Sequence, residues 1–257
     1  MKMIGIVGYG IVGKALHNSV FPDAIIYDKF IPEYNREEIK DKINGLELCF
    51  VCVNTPSSSD GSCDLSAIED AVSWIDSDYI CIKSAVVPGT TDRLIKKTGK
   101  KICVSPEYIG ETKFHDHKFD MKNPGFVVVG GDIDACKCTI RAFQSIMGPM
   151  AEYYTLSAVE SEIVKYMENS FFAVKVIFCN IFNDICGILG ADYNKVRESW
   201  LADKRINRSH TIVTEERGYS SKCLLKDIPA IIKRMEIEGY NIDLLRSVVK
   251  YNEELRK

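Results

Sequence analysis

Short apolar runs recur through the first half of the chain, each closed by a turn-forming segment and followed by an amphipathic stretch. Met3–Val7, Ala24–Tyr27, Leu48–Val53, Tyr79–Lys83, Ile102–Val104 and Phe126–Val129 read as six strands. Runs that are apolar throughout, rather than alternating, belong to strands buried on both faces. Helices are predicted between them: one with Ala15, Leu16 and Val20 on a single face, one from an Asp64 cap through Ile75, one opened by Ser84–Thr91, and one over Asp134–Met147. Strands alternating with helices make a doubly wound parallel sheet, whose ligands bind beyond the carboxyl ends of the strands. Beyond Tyr154 the period becomes helical. Ser157–Leu189 is predicted as one long helix, apolar on most sides through Ile163, Val164, Met167, Phe171, Phe172, Val174, Ile177, Phe178, Phe182 and Ile185. Such a helix is expected to lie in a core or a subunit interface. Two more helices, Asp227–Glu238 and Asn241–Arg256, close the chain. The expected organisation is an α/β domain over 1–155 and an all-helical domain over 156–257.

Composition removes several function classes. The 257 residues carry a net charge of −3 with both signs interspersed, so the basic stripe of a nucleic-acid partner is missing. The first residues run directly into a strand, without the charged and apolar regions of a secretory leader. The most apolar later run, Phe171–Phe182, is broken by Lys175 and Asn180, so no membrane span is expected. Ten cysteines without an export signal read as reduced thiols of a cytoplasmic protein. Cys136-x-Cys138 lacks zinc-knuckle spacing and His115-x-His117 has no further ligand nearby, so no metal site is expected.

Candidate chemistry sits in four places. The first strand ends in Gly8-Tyr9-Gly10-Ile11-Val12-Gly13 and a helix follows. Strand, glycine turn and helix are the context that a dinucleotide fingerprint requires. Gly8 allows the tight turn, Gly10 a close approach to a pyrophosphate and Gly13 close helix–strand packing. Asp28 ends the second strand, where an acid meets the ribose hydroxyls of NAD, and Lys29 is next to it. The fold is thus Rossmann-like and the cofactor expected is NAD. Thr55 and Ser84, in the loops after the third and fourth strands, face the same crevice and are candidate cofactor contacts. The loop after the fifth strand carries Glu107 and Glu111, which on spacing alone are equally well two solvated carboxylates. Lys165 and Asn169 are four apart on the long helix and share a face. Finally, Gly218–Asp227 combines a turn, a thiol, ammonium groups and a carboxylate. A Cys223 at a helix N-terminus, between Lys222 and Lys226, has the surroundings of a reactive thiolate. On these ten residues alone a buried structural cysteine is the competing reading.

Taken together, these segments resemble the UDP-glucose/GDP-mannose dehydrogenase family, most of all its UDP-glucose 6-dehydrogenases. The resemblance runs along nearly the whole chain through GYGIVG at 8–13, VNTP at 53–56, DGSCDLS at 60–66, SAVVPGTT at 84–91, SPEYIGE at 105–111, EIVKYMENSFFAVK at 162–175, DKRI at 203–206 and GYSSKCLLKD at 218–227. It implies oxidation of a sugar's primary alcohol to a carboxylate with two NAD. A cysteine is needed because the intermediate aldehyde is a poor hydride donor until a thiolate adds to it. By this resemblance Cys223 is the nucleophile, Lys165 with Asn169 stabilises the oxyanion, and Asp227 and Glu111 handle water and protons. Glu107, Tyr108, Ile109, Gly110, Gly218 and Lys226 meet the nucleotide sugar, and Arg205 reaches a neighbouring subunit of a homodimer built on the central helices. The chain departs from the family at Ala85, where a threonine is usual, and at Ser220 and Ser221, where glycines are usual. Full-length members also continue into a second α/β domain, so much of the nucleotide-binding surface is expected outside these 257 residues. A one-step hydroxyacid dehydrogenase and a non-catalytic NAD-binding partner subunit are the alternatives.

Overall fold

The computed structural model describes residues 3–110, 120–122 and 124–257. By their contacts they separate into two units, Met1–Lys165 and Tyr166–Lys257. The first unit is built in the order β1 (Ile4–Val7), α1 (Ile11–Ser19), β2 (Ile25–Tyr27), α2 (Glu37–Asn44), β3 (Leu48–Val51), α3 (Ser66–Trp74), β4 (Tyr79–Ile82), α4 (Thr90–Thr98), β5 (Ile102–Val104), β6 (Phe126–Gly131), α5 (Ile133–Met147) and β7 (Glu152–Leu156). The strands form one sheet in the order β2-β1-β3-β4-β5-β6-β7. The strand order reverses between β1 and β3, which places a crevice at their carboxyl ends.

The six predicted strands are all present. The pattern missed α2, whose apolar face is too narrow to stand out, and β7, a largely exposed edge strand. The sheet is also mixed: β1 to β5 are parallel, β6 runs antiparallel to β5, and β7 is parallel to β6. Both faces are covered, which explains the continuously apolar strands. Leu48 and Phe50 of β3 pack with Leu16, Phe21 and Phe143 on one face, whereas Cys49 and Val51 pack with Ile43, Ile68 and Leu94 on the other. The rings of Phe21, Phe50 and Phe143 meet at centroid distances of 5.3–5.9 Å. All ten cysteines are free thiols, and most fill the core as small apolar side chains.

The long helix α6 (Ala158–Ile188) begins in the first unit. Its Glu162 is 1% exposed and accepts from the Gly89 N–H at 2.6 Å, the Thr91 N–H at 2.8 Å and the Thr91 hydroxyl at 2.7 Å. Gly89 is the N-cap of α4 and has no side chain to offer, so a carboxylate from 71–73 residues away caps that helix. Burial raises the Glu162 pKa, and the donors at Thr91 and Gly89 oppose that rise.

The second unit contains the rest of α6, then α7 (Tyr193–Trp200), α8 (Lys222–Ile237) and α9 (Asp243–Leu255). Ala173, Val176 and Ile177 of α6 pack with Leu224, Ile228 and Ile232 of α8 and with Leu245 and Val248 of α9. Helix α8 opens at Lys222, ahead of the predicted Asp227. Pro229 lies inside the helix, past its first turn. The cap is Ser221, whose hydroxyl accepts from the Leu224 N–H at 3.3 Å.

Only part of α6 is buried within the chain. Met167, at 73%, and Phe171, at 59%, are exposed, as are Phe178, Phe182 and Ile185. The helix is long and apolar enough by composition to cross a bilayer, with a mean hydropathy of 1.6. Two polar residues in its second half nevertheless turn inward. The buried Lys175 donates to the Asn207 carbonyl at 2.5 Å, with its pKa lowered by burial, and the buried Asn180 donates to the Val176 carbonyl at 2.9 Å.

Glu162→Gln tests the distant cap. An amide keeps one acceptor but turns an N–H₂ toward donors, so the first unit is expected to lose about 2–3 kcal/mol. Urea unfolding measures it, and a loss below about 0.5 kcal/mol would show that the cap is dispensable.

Candidate active site

The glycine turn has the shape its sequence demands. A Cβ on Gly13 would stand 2.0 Å from the Gly8 carbonyl oxygen, so only glycine lets α1 start this close to β1. A Cβ on Gly10 would meet nothing within 4 Å, which leaves its backbone open to a ligand. No side chain caps α1, whose first N–H groups therefore remain available to a pyrophosphate. At the end of β2, Asp28 accepts from the Tyr9 N–H at 2.7 Å and from the Phe30 N–H at 2.8 Å. Two amides thus hold the carboxylate beside the glycine turn, and its remaining lone pairs suit ribose hydroxyls. The Tyr9 ring packs edge-on against His17 and Tyr34, at 5.6 and 5.1 Å. Ile11 and Val12 form the first turn of α1. Lys29 pairs with Asp70 of α3 at 3.3 Å.

Thr55 and Ser84 brace the two loops beyond β3 and β4 against each other. The Thr55 hydroxyl donates to the Ala85 carbonyl at 2.9 Å, and the Ser84 hydroxyl donates to the Val53 carbonyl at 2.6 Å. This binds the segment with the unusual Ala85 through its backbone, which alanine supplies as well as threonine.

The loop after β5 is held from beneath by a residue the sequence reading passed over. Lys83 is 4% exposed, and its ammonium donates to the Ser105 hydroxyl at 3.3 Å and the Pro106 carbonyl at 3.1 Å, over the Phe143 ring. Burial lowers its pKa, and the nearby Cys81 and Glu107 oppose that shift. A lysine at the end of an apolar strand was the available signal. Glu107 accepts from the Ile109 N–H at 2.8 Å, which folds the loop back on itself. Tyr108 and Ile109 are buried, Gly110 half-buried. The ring of Tyr108 lies beneath the Lys165 ammonium at 5.1 Å. Glu111, His115 and His117 lie outside the described residues.

In the second unit, Cys223 is the second residue of α8 and is exposed. Asp227, one turn later, is 1% exposed. It accepts from the Asn169 amide at 2.7 Å and pairs with Lys226 at 2.5 Å. The structure therefore joins Asn169, Asp227 and Lys226 directly and sets Cys223 at the mouth of the same helix. Lys165 is buried one turn before Asn169 on α6. Arg205 is exposed and bound to Asp203 within its own turn.

Two asparagines shape the approach to Cys223, and neither was singled out for it. Asn252 of α9 accepts from the Tyr219 N–H at 2.7 Å and donates to the Tyr219 carbonyl at 3.1 Å. The Asn180 side-chain oxygen accepts from Arg217 Nε at 2.8 Å and from the Gly218 N–H at 3.3 Å. The left-handed residues are Arg217, at φ 55°, and Gly218, at φ 57°. A Cβ on Gly218 would stand 2.3 Å from the Asn252 side-chain oxygen. Ser221, at φ −62°, needs no glycine, and Ser220 is not among the positive-φ residues. The serines that replace the family's glycines are therefore unstrained here.

Comparison with known proteins finds one family along most of the chain. The NAD-binding domain of the UDP-glucose/GDP-mannose dehydrogenase family matches residues 33–147, and that family's central domain matches 159–254. The first match begins after the glycine turn, so the fingerprint stands on its own geometry. The UDP-glucose 6-dehydrogenase AglM of Haloferax volcanii is 30% identical over 238 residues, covering 83% of this chain and 54% of that protein. The chain spans about half the length of the curated relatives it matches. Among solved structures, a UDP-glucose dehydrogenase from Pyrobaculum islandicum superposes with a TM-score of 0.83 at 24% identity, over 99% of this chain and 68% of that one. A 3-hydroxyisobutyrate dehydrogenase from Mycobacterium tuberculosis shares the fold, with a TM-score of 0.71 at 14% identity, over 98% of this chain and 93% of that one. The chain belongs to the UDP-glucose/GDP-mannose dehydrogenase family and carries its NAD-binding and central domains.

Lys83→Met removes the strut under the 105–110 loop. The stability of the whole domain should change little, because the cost of burying an ammonium disappears along with its bonds. Hydrogen exchange at residues 105–110 is expected to rise about tenfold or more. Unchanged exchange would deny Lys83 this role.

Proposed function

We propose that the chain forms the NAD-binding and central part, over 1–155 and 156–257, of a cytoplasmic nucleotide-sugar dehydrogenase that oxidises the primary alcohol of UDP-glucose, or a close relative, to a carboxylate. The observation that carries this reading is the exposed Cys223 thiol at the start of α8, one turn before a buried Asp227 that Asn169 holds in place. A single oxidation of an alcohol needs no thiol; a further oxidation at the same carbon does. NAD, when bound, supplies the hydride acceptor for both stages.

The chain's own residues account for the remaining steps. The Cys223 thiolate adds to the aldehyde carbon, forming a C–S bond and placing the negative charge on oxygen. Lys165 and Asn169, on one face of α6, stabilise that oxyanion. Once this adduct is oxidised, the carbon is a thioester. Asp227 then takes a proton from water as it attacks the thioester, the C–S bond breaks, and the carboxylate leaves while Cys223 is restored. Glu111 assists in this proton handling, and Glu107, Tyr108, Ile109, Gly110, Gly218 and Lys226 bind the sugar nucleotide. Gly8–Gly13, Asp28, Lys29, Thr55 and Ser84 serve the cofactor.

The exposed apolar side of α6, with Met167, Phe171, Phe178 and Phe182, supports a homodimer in which Arg205 serves the partner subunit's site. Sedimentation at micromolar concentration should report a dimer, and a monomer would count against this use of the helix.

Product stoichiometry tests the chemistry. With UDP-glucose the expected ratio is two NADH per sugar acid formed. A ratio of one, with sugars or small hydroxyacids, would favour the one-step dehydrogenase that the shared fold also accommodates. NAD binding without turnover of any sugar would favour a non-catalytic subunit. Cys223→Ala should stop acid formation entirely, and continued accumulation of the uronic acid would remove Cys223 as the nucleophile.

A further inference from the structure

The adenosine end of the NAD site carries an ion pair that the reaction does not use. Asp28 is fixed by the Tyr9 and Phe30 amides, so its charge has a set position. The next residue, Lys29, is exposed, and its ammonium turns away to Asp70 Oδ2 on α3, at 3.3 Å. The Lys29 backbone is held as well: its carbonyl accepts from the Asn35 amide at 2.8 Å, and the Asn35 side-chain oxygen accepts from the Tyr27 hydroxyl at 3.4 Å. The lysine stem therefore springs from a braced turn directly beside the carboxylate that would receive the ribose.

This arrangement bears on the choice between NAD and NADP. The two differ by a phosphate on the adenosine 2′ position, where the acid at the end of β2 meets the ribose. A 2′-phosphate there would confront the Asp28 charge, and a neighbouring ammonium could offset that repulsion. In this chain the adjacent ammonium is drawn off by a second carboxylate. Two acids, Asp28 and Asp70, outnumber the one cation between them, Lys29.

We propose that Asp70 is a specificity-determining residue: by pairing with Lys29 it withholds that ammonium from a 2′-phosphate and so excludes NADP. Asp70 acts through Lys29, with which it pairs from α3. The inference rests on the dinucleotide site alone and is independent of the sugar chemistry.

Equilibrium binding to the full chain tests it, with NAD and NADP as ligands and 5′-AMP and adenosine 2′,5′-bisphosphate as probes of the adenosine end. Asp70→Asn is expected to tighten NADP and the bisphosphate by about threefold to tenfold, while NAD and 5′-AMP change by less than about twofold. The gain should shrink as salt rises to about 0.5 M, since the charges are exposed. Adding Lys29→Met to Asp70→Asn should abolish it. An unchanged NADP affinity in Asp70→Asn overturns the proposal. So does a gain that survives Lys29→Met, because the responding cation would then be another one, such as Arg36. Failure to oxidise any sugar would leave these binding ratios, and the inference, intact.

Discussion

A single buried carboxylate ties the sheet to the start of the long helix that carries Lys165. Glu162 receives the two free N–H groups at the start of α4 and the Thr91 hydroxyl. Gly89, at φ 94°, makes the sharp entry into α4 but offers no capping oxygen. Glu162 supplies it from α6 and in doing so fixes the rotation of α6. Lys165 follows three residues later, still within the first unit, so its direction is set by the same bond pattern. Near Glu162 a Cβ on Gly130 would stand 2.2 Å from the Ser157 carbonyl, which shows how closely the first turn of α6 approaches the end of β6. Burial and hydrogen bonding thus locate the helix before any substrate contact is considered.

The same economy recurs at other loops. Each segment expected to meet a ligand is held by a polar side chain from a different element. Lys83 holds the 105–110 loop, Asn252 and Asn180 hold the turn before Cys223, and the Asp28 carboxylate holds the glycine turn at Tyr9. A loop with satisfied backbone groups loses little freedom when a ligand arrives, so more of the contact energy remains for binding. Burying these polar groups is tolerable only because each one is paired.

Much of the fold was legible in the sequence because it rests on local patterns. Strands apolar on both faces, a glycine turn after the first of them and an acid after the second specify a doubly wound sheet. What stayed hidden rests on distant pairing. β6 reads as one more strand, and nothing within Phe126–Gly131 reports that it runs antiparallel to β5. Glu162, Asn180 and Asn252 look like helix-surface residues until their partners, 33–73 residues away, are known. The family motifs brought out Cys223, Lys165, Asn169 and Asp227, but spacing alone could not show that Asn169 and Asp227 touch. On the long helix, composition did not show which side packs within the chain: Met167 and Phe171 face outward, whereas Lys175 and Asn180 face in.

The turn before Cys223 shows what a motif means once its backbone is visible. The resemblance implies glycines at 220 and 221; glycine there would suggest positive φ, and serine would then be strained. In this chain the left-handed conformation falls on Arg217 and Gly218 instead, and Gly218 is the position where a Cβ would collide with Asn252. Ser221 is extended and puts its hydroxyl to use as the cap of α8. The glycine requirement has a steric cause at 218 and none in backbone conformation at 220 or 221. Serine at those two positions therefore removes no part of the scaffold that presents the thiol, and it adds an N-cap to the helix on which Cys223 and Asp227 both stand.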